Sequence, residues 1–139
     1  MAYLLDLFHA QGSNFQFIKM IVPSFMAILF LQSGFDKALN YAGTLTYFQG
    51  QFKDTPLSKT THLLLPMLTI LEIVAGAMCA IGVVVSLLNG NDTWAIWGLM
   101  CASLALMCLF FGQRMSKDYA GSAALMGYVA VNLIGLLCY

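Results

Sequence analysis

The most chemically loaded position in this 139-residue sequence is Glu72, a lone carboxylate in the apolar run from Thr61 to Leu88. Read as a helix rising 1.5 Å per residue, that run puts Glu72 about 16 Å from Thr61, near the midplane of a bilayer. A charged side chain at that depth costs about 2.5–3.5 kcal/mol on insertion scales. Such a group faces the protein interior, pairs with an opposite charge or stays protonated. Thr69, Glu72, Gly76 and Cys79 share one helix face, so small neighbours leave room beside the carboxylate. Lys37 and Arg114 are its candidate partners, and two roles are open: a site residue, or half of an ion pair that fixes helix register.

Lys37 belongs to a polar stripe. Ser33, Asp36, Lys37 and Asn40 follow the i, i+3, i+4, i+7 spacing of one helix face at the end of the first apolar run. Asp36 and Lys37 either join the interior or extend to the lipid headgroups. The third charged stretch, "FFGQRMSKDYAGSAAL", lies between two apolar runs at residues 110–125. Arg114 and Asp118 are four apart and suited to pair across one turn. Ser116 reads as the cap of the next helix, Asp118 favours its positive end, and Tyr119 is expected to point into the bundle. The plainer reading is a charged loop between spans.

Other chemistry is weakly supported. Cys79, Cys101, Cys108 and Cys138 all fall in apolar runs without a CxxC pair. Cys101 and Cys108 share a helix face, yet buried free cysteines usually behave as small hydrophobes. His9 and His62 are isolated, so no metal site is expected.

These side chains need elements to hold them. With 60% hydrophobic and 9% charged residues, the chain has too little charge to build a water-facing surface. Four windows approach the roughly 20 apolar residues that span a hydrocarbon core. They are residues 17–38, 61–88, 94–113 and 119–139. Backbone groups in lipid must be bonded internally, so the windows read as helices. The expected fold is all-α: one domain over 1–139, an integral membrane antiparallel four-helix bundle.

Between the spans, "NGNDT" reads as a tight turn, and residues 40–60 as an ordered loop or half-buried interfacial segment. Residues 1–14, "MAYLLDLFHAQGSN", suit a short interfacial helix, and a cleaved signal peptide is not expected. Gly98, Cys101, Ala105, Cys108 and Gly112 form one small-residue stripe, and Gly121, Leu125, Tyr128, Asn132 and Gly135 a second. Both suit close helix packing. Pro23 and Pro66 are expected early in their helices, where a missing N–H costs least.

Three segments together resemble the DoxX family. "SGFDKALNYAGTLTYFQG" is similar to its first-helix ending and aromatic loop, and "LEIVAGAMCAIG" to its second-helix Glu and Gly pattern. "GQRMSKDYAGSAALMGYVAVNLIGL" is similar to a QR-x-x-KDYAG segment found in a subset of DoxX-like proteins. The resemblance covers about residues 17–139. It implies a bacterial inner-membrane four-helix protein, in a family named for a subunit associated with a terminal quinol oxidase or thiosulfate:quinone oxidoreductase. Carried over, the family positions are Gly34, Lys37, Tyr47, Glu72, Gly76, Arg114, Lys117, Asp118, Tyr119 and Gly121. Lys19 stands where relatives often have Arg. Membership establishes no reaction, and without a haem-ligand His pair or CxxC the chain is not expected to carry electrons alone.

The expectation taken forward is a small subunit of a quinone- or quinol-linked redox assembly. Its polar pocket would comprise Lys37, Tyr47, Glu72, Arg114, Lys117, Asp118 and Tyr119, with quinone as the ligand. Gly34, Gly76 and Gly121 are expected to be structural. The alternatives are a non-catalytic assembly or interaction protein with an internal charge staple, and a small-solute carrier. Expected partners are the bilayer and other membrane subunits or a second copy. No basic cluster appears, so nucleic acid is not among them. Counting Lys37, Lys53, Lys59, Arg114 and Lys117 against Lys19, the positive-inside rule puts the termini outside the cytoplasm. The resemblance favours cytoplasmic termini, and charges buried in the bundle do not vote, so cytoplasmic termini are the expectation.

Overall fold

A computed structural model describes residues 12–139, with side chains from residue 16 onward. Helix α1 runs Gly12–Leu39, α2 Tyr41–Gln51, α3 Thr61–Asn89, α4 Thr93–Met115 and α5 Tyr119–Leu137, with a 3-10 turn at Pro56–Lys59 before α3. Among the described residues there is no strand. The segments Gln16–Leu39, Thr61–Asn89, Thr93–Met115 and Tyr119–Leu137 are long and apolar enough to cross a membrane, the pattern of a multi-pass membrane protein. The interfacial segment expected at 1–14 falls outside the described residues except for its last three, which open α1.

Residues 40–60 are more regular than an ordered loop. They form α2, none of whose residues is buried, and the turn at Pro56–Lys59, capped by the Thr55 hydroxyl. With α1 beginning at Gly12, Pro23 lies well inside its helix rather than near the start.

The core is built on α1, α3 and α4. Met26 and Phe30 from α1 meet Ala75 and Cys79 from α3 and Leu99, Ala102 and Leu106 from α4. Close approach depends on missing side chains: a β-carbon on Gly82 would lie 2.5 Å from the Ala95 backbone, and one on Gly98 2.7 Å from the Cys79 nitrogen. The buried face of α4 comprises Ala95, Gly98, Leu99, Ala102, Ala105 and Leu106. The expected small stripe is therefore out of phase at Cys101, half-buried, and Cys108, exposed. On α5 the buried set is Ser122, Leu125, Asn132 and Gly135, while Tyr128 is exposed. Asn132 Nδ2 donates to the Leu99 carbonyl at 3.1 Å and to Ser103 Oγ at 2.6 Å, a polar link between α5 and α4.

The connections end the helices by recognisable devices. Gly90 closes α3 in the left-handed region, φ 67°, its N–H returning to the Ser86 carbonyl. After α4, the Asp118 N–H bonds the Gln113 carbonyl at 2.8 Å and the Lys117 N–H the Arg114 carbonyl at 3.2 Å. This is a Schellman turn, with Lys117 at φ 61° in the position that usually takes glycine. Ser116 belongs to the end of α4, and Asp118 rather than Ser116 caps α5 by accepting from the Gly121 N–H at 3.1 Å.

Candidate functional site

The site grows from the crossing of α1 and α3. A β-carbon on Gly76 would come within 2.9 Å of the Leu31 backbone nitrogen, so the two helices meet almost backbone to backbone. A β-carbon on Gly34 would lie 2.5 Å from the Ile73 side chain and 3.4 Å from its backbone nitrogen. That approach brings Ser33 and Lys37, one turn apart on α1, against Glu72 of α3. Lys37 Nζ donates to Glu72 Oε2 at 2.9 Å and to Ser33 Oγ at 2.6 Å. Ser33 Oγ in turn donates to Glu72 at 3.3 and 3.4 Å, divided between the two carboxylate oxygens. The Glu72 side chain is 0% exposed and that of Lys37 13%. Two charges withdrawn from solvent are tolerable only when paired and hydrogen-bonded, as these are.

A cavity of about 1070 Å³ leads to this pair. Its walls are mostly aliphatic and aromatic: Leu65 and Leu68 from α3, Leu106 and Phe111 from α4, Leu125 and Tyr128 from α5. Tyr47 and Phe48 of α2, with Phe52 just beyond it, close another side. The Phe48 and Phe52 rings stack at 5.9 Å. Gln51 Nε2 donates to Ser116 Oγ at 3.1 Å, tying the end of α2 to the α4–α5 turn. Met67 and Phe111 line the cavity and are also largely exposed on the outer face, so the cavity opens sideways, toward lipid in a membrane.

Of the residues expected to form a pocket, Lys37, Tyr47, Glu72 and Asp118 line this cavity. Arg114, Lys117 and Tyr119 do not. The Arg114 guanidinium stacks 4.6 Å over the Tyr119 ring, and both residues are exposed. Arg114 is therefore the partner of neither Glu72 nor Asp118, and Tyr119 does not point into the bundle. The ion pairs among the described residues are Lys37–Glu72 and Lys19–Asp92. Asp36 is exposed, whereas its neighbour Lys37 turns inward. Gly121 packs against Asp118 and Gln113. Gln113 lines the cavity, and its Oε1 is buried with no hydrogen-bond partner among the described residues. Its signal in the sequence was its place seven residues after Leu106, on the buried face of α4.

At the opposite end of the bundle a second cluster joins three segments. Lys19 Nζ bonds Asp92 Oδ2 at 2.9 Å, Ser86 Oγ donates to Asp92 Oδ1 at 2.7 Å, and Lys19 sits 4.9 Å over the Tyr139 ring. Burial alone would raise the Asp92 pKa, but hydrogen bonds from Ser86 and Lys19 and the Lys19 charge outweigh it and hold the carboxyl below its usual range. Tyr139, beyond the last apolar segment, is pushed up to about 12 by burial and then by the charge of Asp92. Among the described residues no group of three or more His, Cys, Asp or Glu is placed to hold a metal ion. No family model, no curated protein and no solved structure matches the chain.

Proposed function

We propose that the chain is a small subunit of a quinone- or quinol-linked redox assembly in the bacterial inner membrane, a DoxX-like protein whose lateral cavity takes the ring of the quinone. One observation carries the reading: an apolar cavity of about 1070 Å³, open sideways, ends on the buried Lys37–Glu72 pair. Ligand sites are usually concave and mostly apolar, with a few placed polar groups that fix orientation. A flat polar ring on an apolar tail matches that division of surface. Lys37 has three N–H donors and spends two on Ser33 and Glu72, leaving one for a ring oxygen. Ser33 bridges the ammonium and the carboxylate, so a proton released at the ring has acceptors in a short chain. Cytoplasmic termini, and partners in the form of other membrane subunits or a second copy, belong to the same proposal.

The test is the quinone content of the protein purified from its native membrane and extracted with solvent. About one quinone per chain is expected, reduced to the lipid background by Leu68→Trp, which puts a bulky ring into the cavity one helical turn from Glu72. A wild-type protein with background quinone that also fails to bind an added short-tailed benzoquinone would overturn the proposal.

A second reading is favoured by one observation: both Glu72 oxygens already have partners inside the protein. On that reading the pair is a staple between α1 and α3 in a non-catalytic assembly or interaction protein, and partner recovery depends on it.

A further inference from the structure

The lateral cavity is not the only space that reaches the Lys37–Glu72 pair. A cleft of about 390 Å³ lies between the end of α1 and the start of α2, walled by Ser33, Asp36, Asn40 and Thr44 beside Lys37. Asp36 and Asn40, at the end of the first span, are exposed, so this polar cleft opens at the bundle end that carries α2. Ser33, Lys37, Tyr47 and Phe48 line both the cleft and the lateral cavity, so the two spaces meet at the lysine. The Glu72 side chain is fully covered while that of Lys37 is not, so the pair has its solvent contact through the lysine. The remaining titratable groups on the two walls are Asp36, Tyr47, Cys108 of α4, Asp118 before α5 and Tyr128 of α5.

We infer that the cleft is the aqueous port of the site: through it Lys37 and Glu72 exchange protons with water on the membrane face that carries α2. What the port serves rests on the quinone-linked reading of the cavity. A ring reached from the lipid side has no water of its own, so its protons need a polar route. When a bound hydroquinone gives its two electrons to the electron acceptor of the assembly, it loses two protons, and each leaves by the same steps. The ring O–H protonates the Glu72 carboxylate, Lys37 gives an N–H proton to cleft water, and Glu72 returns its proton to Lys37, directly or through Ser33. The ion pair is restored and one proton has passed from ring to water. Reduction of a bound quinone takes up protons by the same steps reversed.

The experiment uses the whole protein in sealed vesicles of its native membrane, prepared in both orientations. Ser33→Cys is the reporter, and the probe is a sulfonate-bearing methanethiosulfonate, which does not cross lipid. The reagent attacks a thiolate, which forms where water reaches the sulfur. Cys108 lines the lateral cavity but not the cleft, and is the internal control. By peptide mass spectrometry, Ser33→Cys is expected to label about tenfold faster than Cys108. It should label from the face that also labels Asp54→Cys, after α2, and not from the face that labels Asn91→Cys, between α3 and α4. Thr44→Trp, which puts a bulky ring on a wall of the cleft alone, is expected to slow that labelling about tenfold. Phe48→Cys, on the shared wall, leaves Ser33 and the pair intact and is expected to label alike. It keeps the test decisive if Ser33→Cys misfolds, which labelling of the buried Cys79 would reveal. Labelling no faster than that of Cys108, or unchanged by Thr44→Trp, would overturn the port and leave the quinone-linked reading standing. Background quinone in the wild type, measured as above, would overturn that reading and with it the ring as the port's proton partner.

Discussion

The Tyr139 hydroxyl donates a 2.8 Å hydrogen bond to the Lys19 carbonyl, the acceptor that Pro23 cannot serve. In a continuous helix the N–H of residue 23 would bond the carbonyl of residue 19, and proline has no N–H to give. The end of the fourth span therefore repairs the break that Pro23 makes in the first. Tyr139→Phe keeps the ring under Lys19 but removes the donor. It is expected to destabilise the protein by about 1–3 kcal/mol, the cost of an acceptor left unpaired, seen as a lower Tm in detergent. The raised phenol also fixes a pH window. Its stabilisation is complete below the ordinary value of 10.0 and is lost as pH rises through about 12. An ultraviolet titration of the wild type minus Tyr139→Phe should show one phenol ionising near 12. Ionisation at the ordinary value would show that the phenol is not buried beside Asp92.

The neighbouring Lys19–Asp92 pair acts on the acid side. Asp92 is held below its ordinary value of 3.8, so its contribution is present above that pH and is lost as pH falls through the lower folded value. The pair is partly exposed, so its worth is under about 1 kcal/mol and falls with salt. Asp92→Asn should lower Tm slightly at neutral pH. The gap to wild type should close under acid and shrink in molar salt. A gap unchanged at low pH would show that the carboxylate's charge contributes nothing.

The four spans were legible because twenty-odd apolar residues are a strong and redundant signal. The start of α1 was not, because Gly12–Gln16 is polar apart from Phe15 and so lies outside the continuous apolar run. Helix α2 was missed for a different reason: two glycines and a nearly even scatter of apolar and polar residues over Tyr41–Gln51 give no helical periodicity. The Lys37–Glu72 pairing followed from topology, since consecutive antiparallel spans bring those helix ends together. Topology could not choose between Lys37 and Arg114, because that choice depends on helical phase. Gln113 continues the buried face of α4, and Arg114, about 100° further round, turns outward to Tyr119. Which of two adjacent polar residues faces inward is decided by a register that apolar composition alone does not reveal.

Lys117 holds a left-handed conformation, φ 61°, at the one turn position where glycine is free of strain. Its side chain is exposed and does not line the cavity. Lys117→Gly should therefore stabilise the α4–α5 turn by about 1 kcal/mol. It should leave the Asp118 cap intact, with a raised Tm and unchanged quinone content. A lower Tm would mean that the lysine makes a contact worth more than the strain it bears.

The Lys37–Glu72 pair separates the two functional readings. Removing one partner strands the other charge, so Glu72→Gln or Lys37→Met alone should cost about 3–5 kcal/mol. Replacing both, Lys37→Met with Glu72→Leu, removes the desolvation penalty together with the attraction, and should return Tm to within about 2 kcal/mol of wild type. The readings diverge in that double variant. If the pair is a staple, recovering the fold recovers the partners and whatever turnover the assembly supports. If it holds a quinone ring, the double variant folds and assembles but carries background quinone and no quinol-dependent turnover, as Glu72→Gln alone does. A stable double variant with full quinone content would remove the pair from the binding site, and one with full turnover would leave it only a structural role.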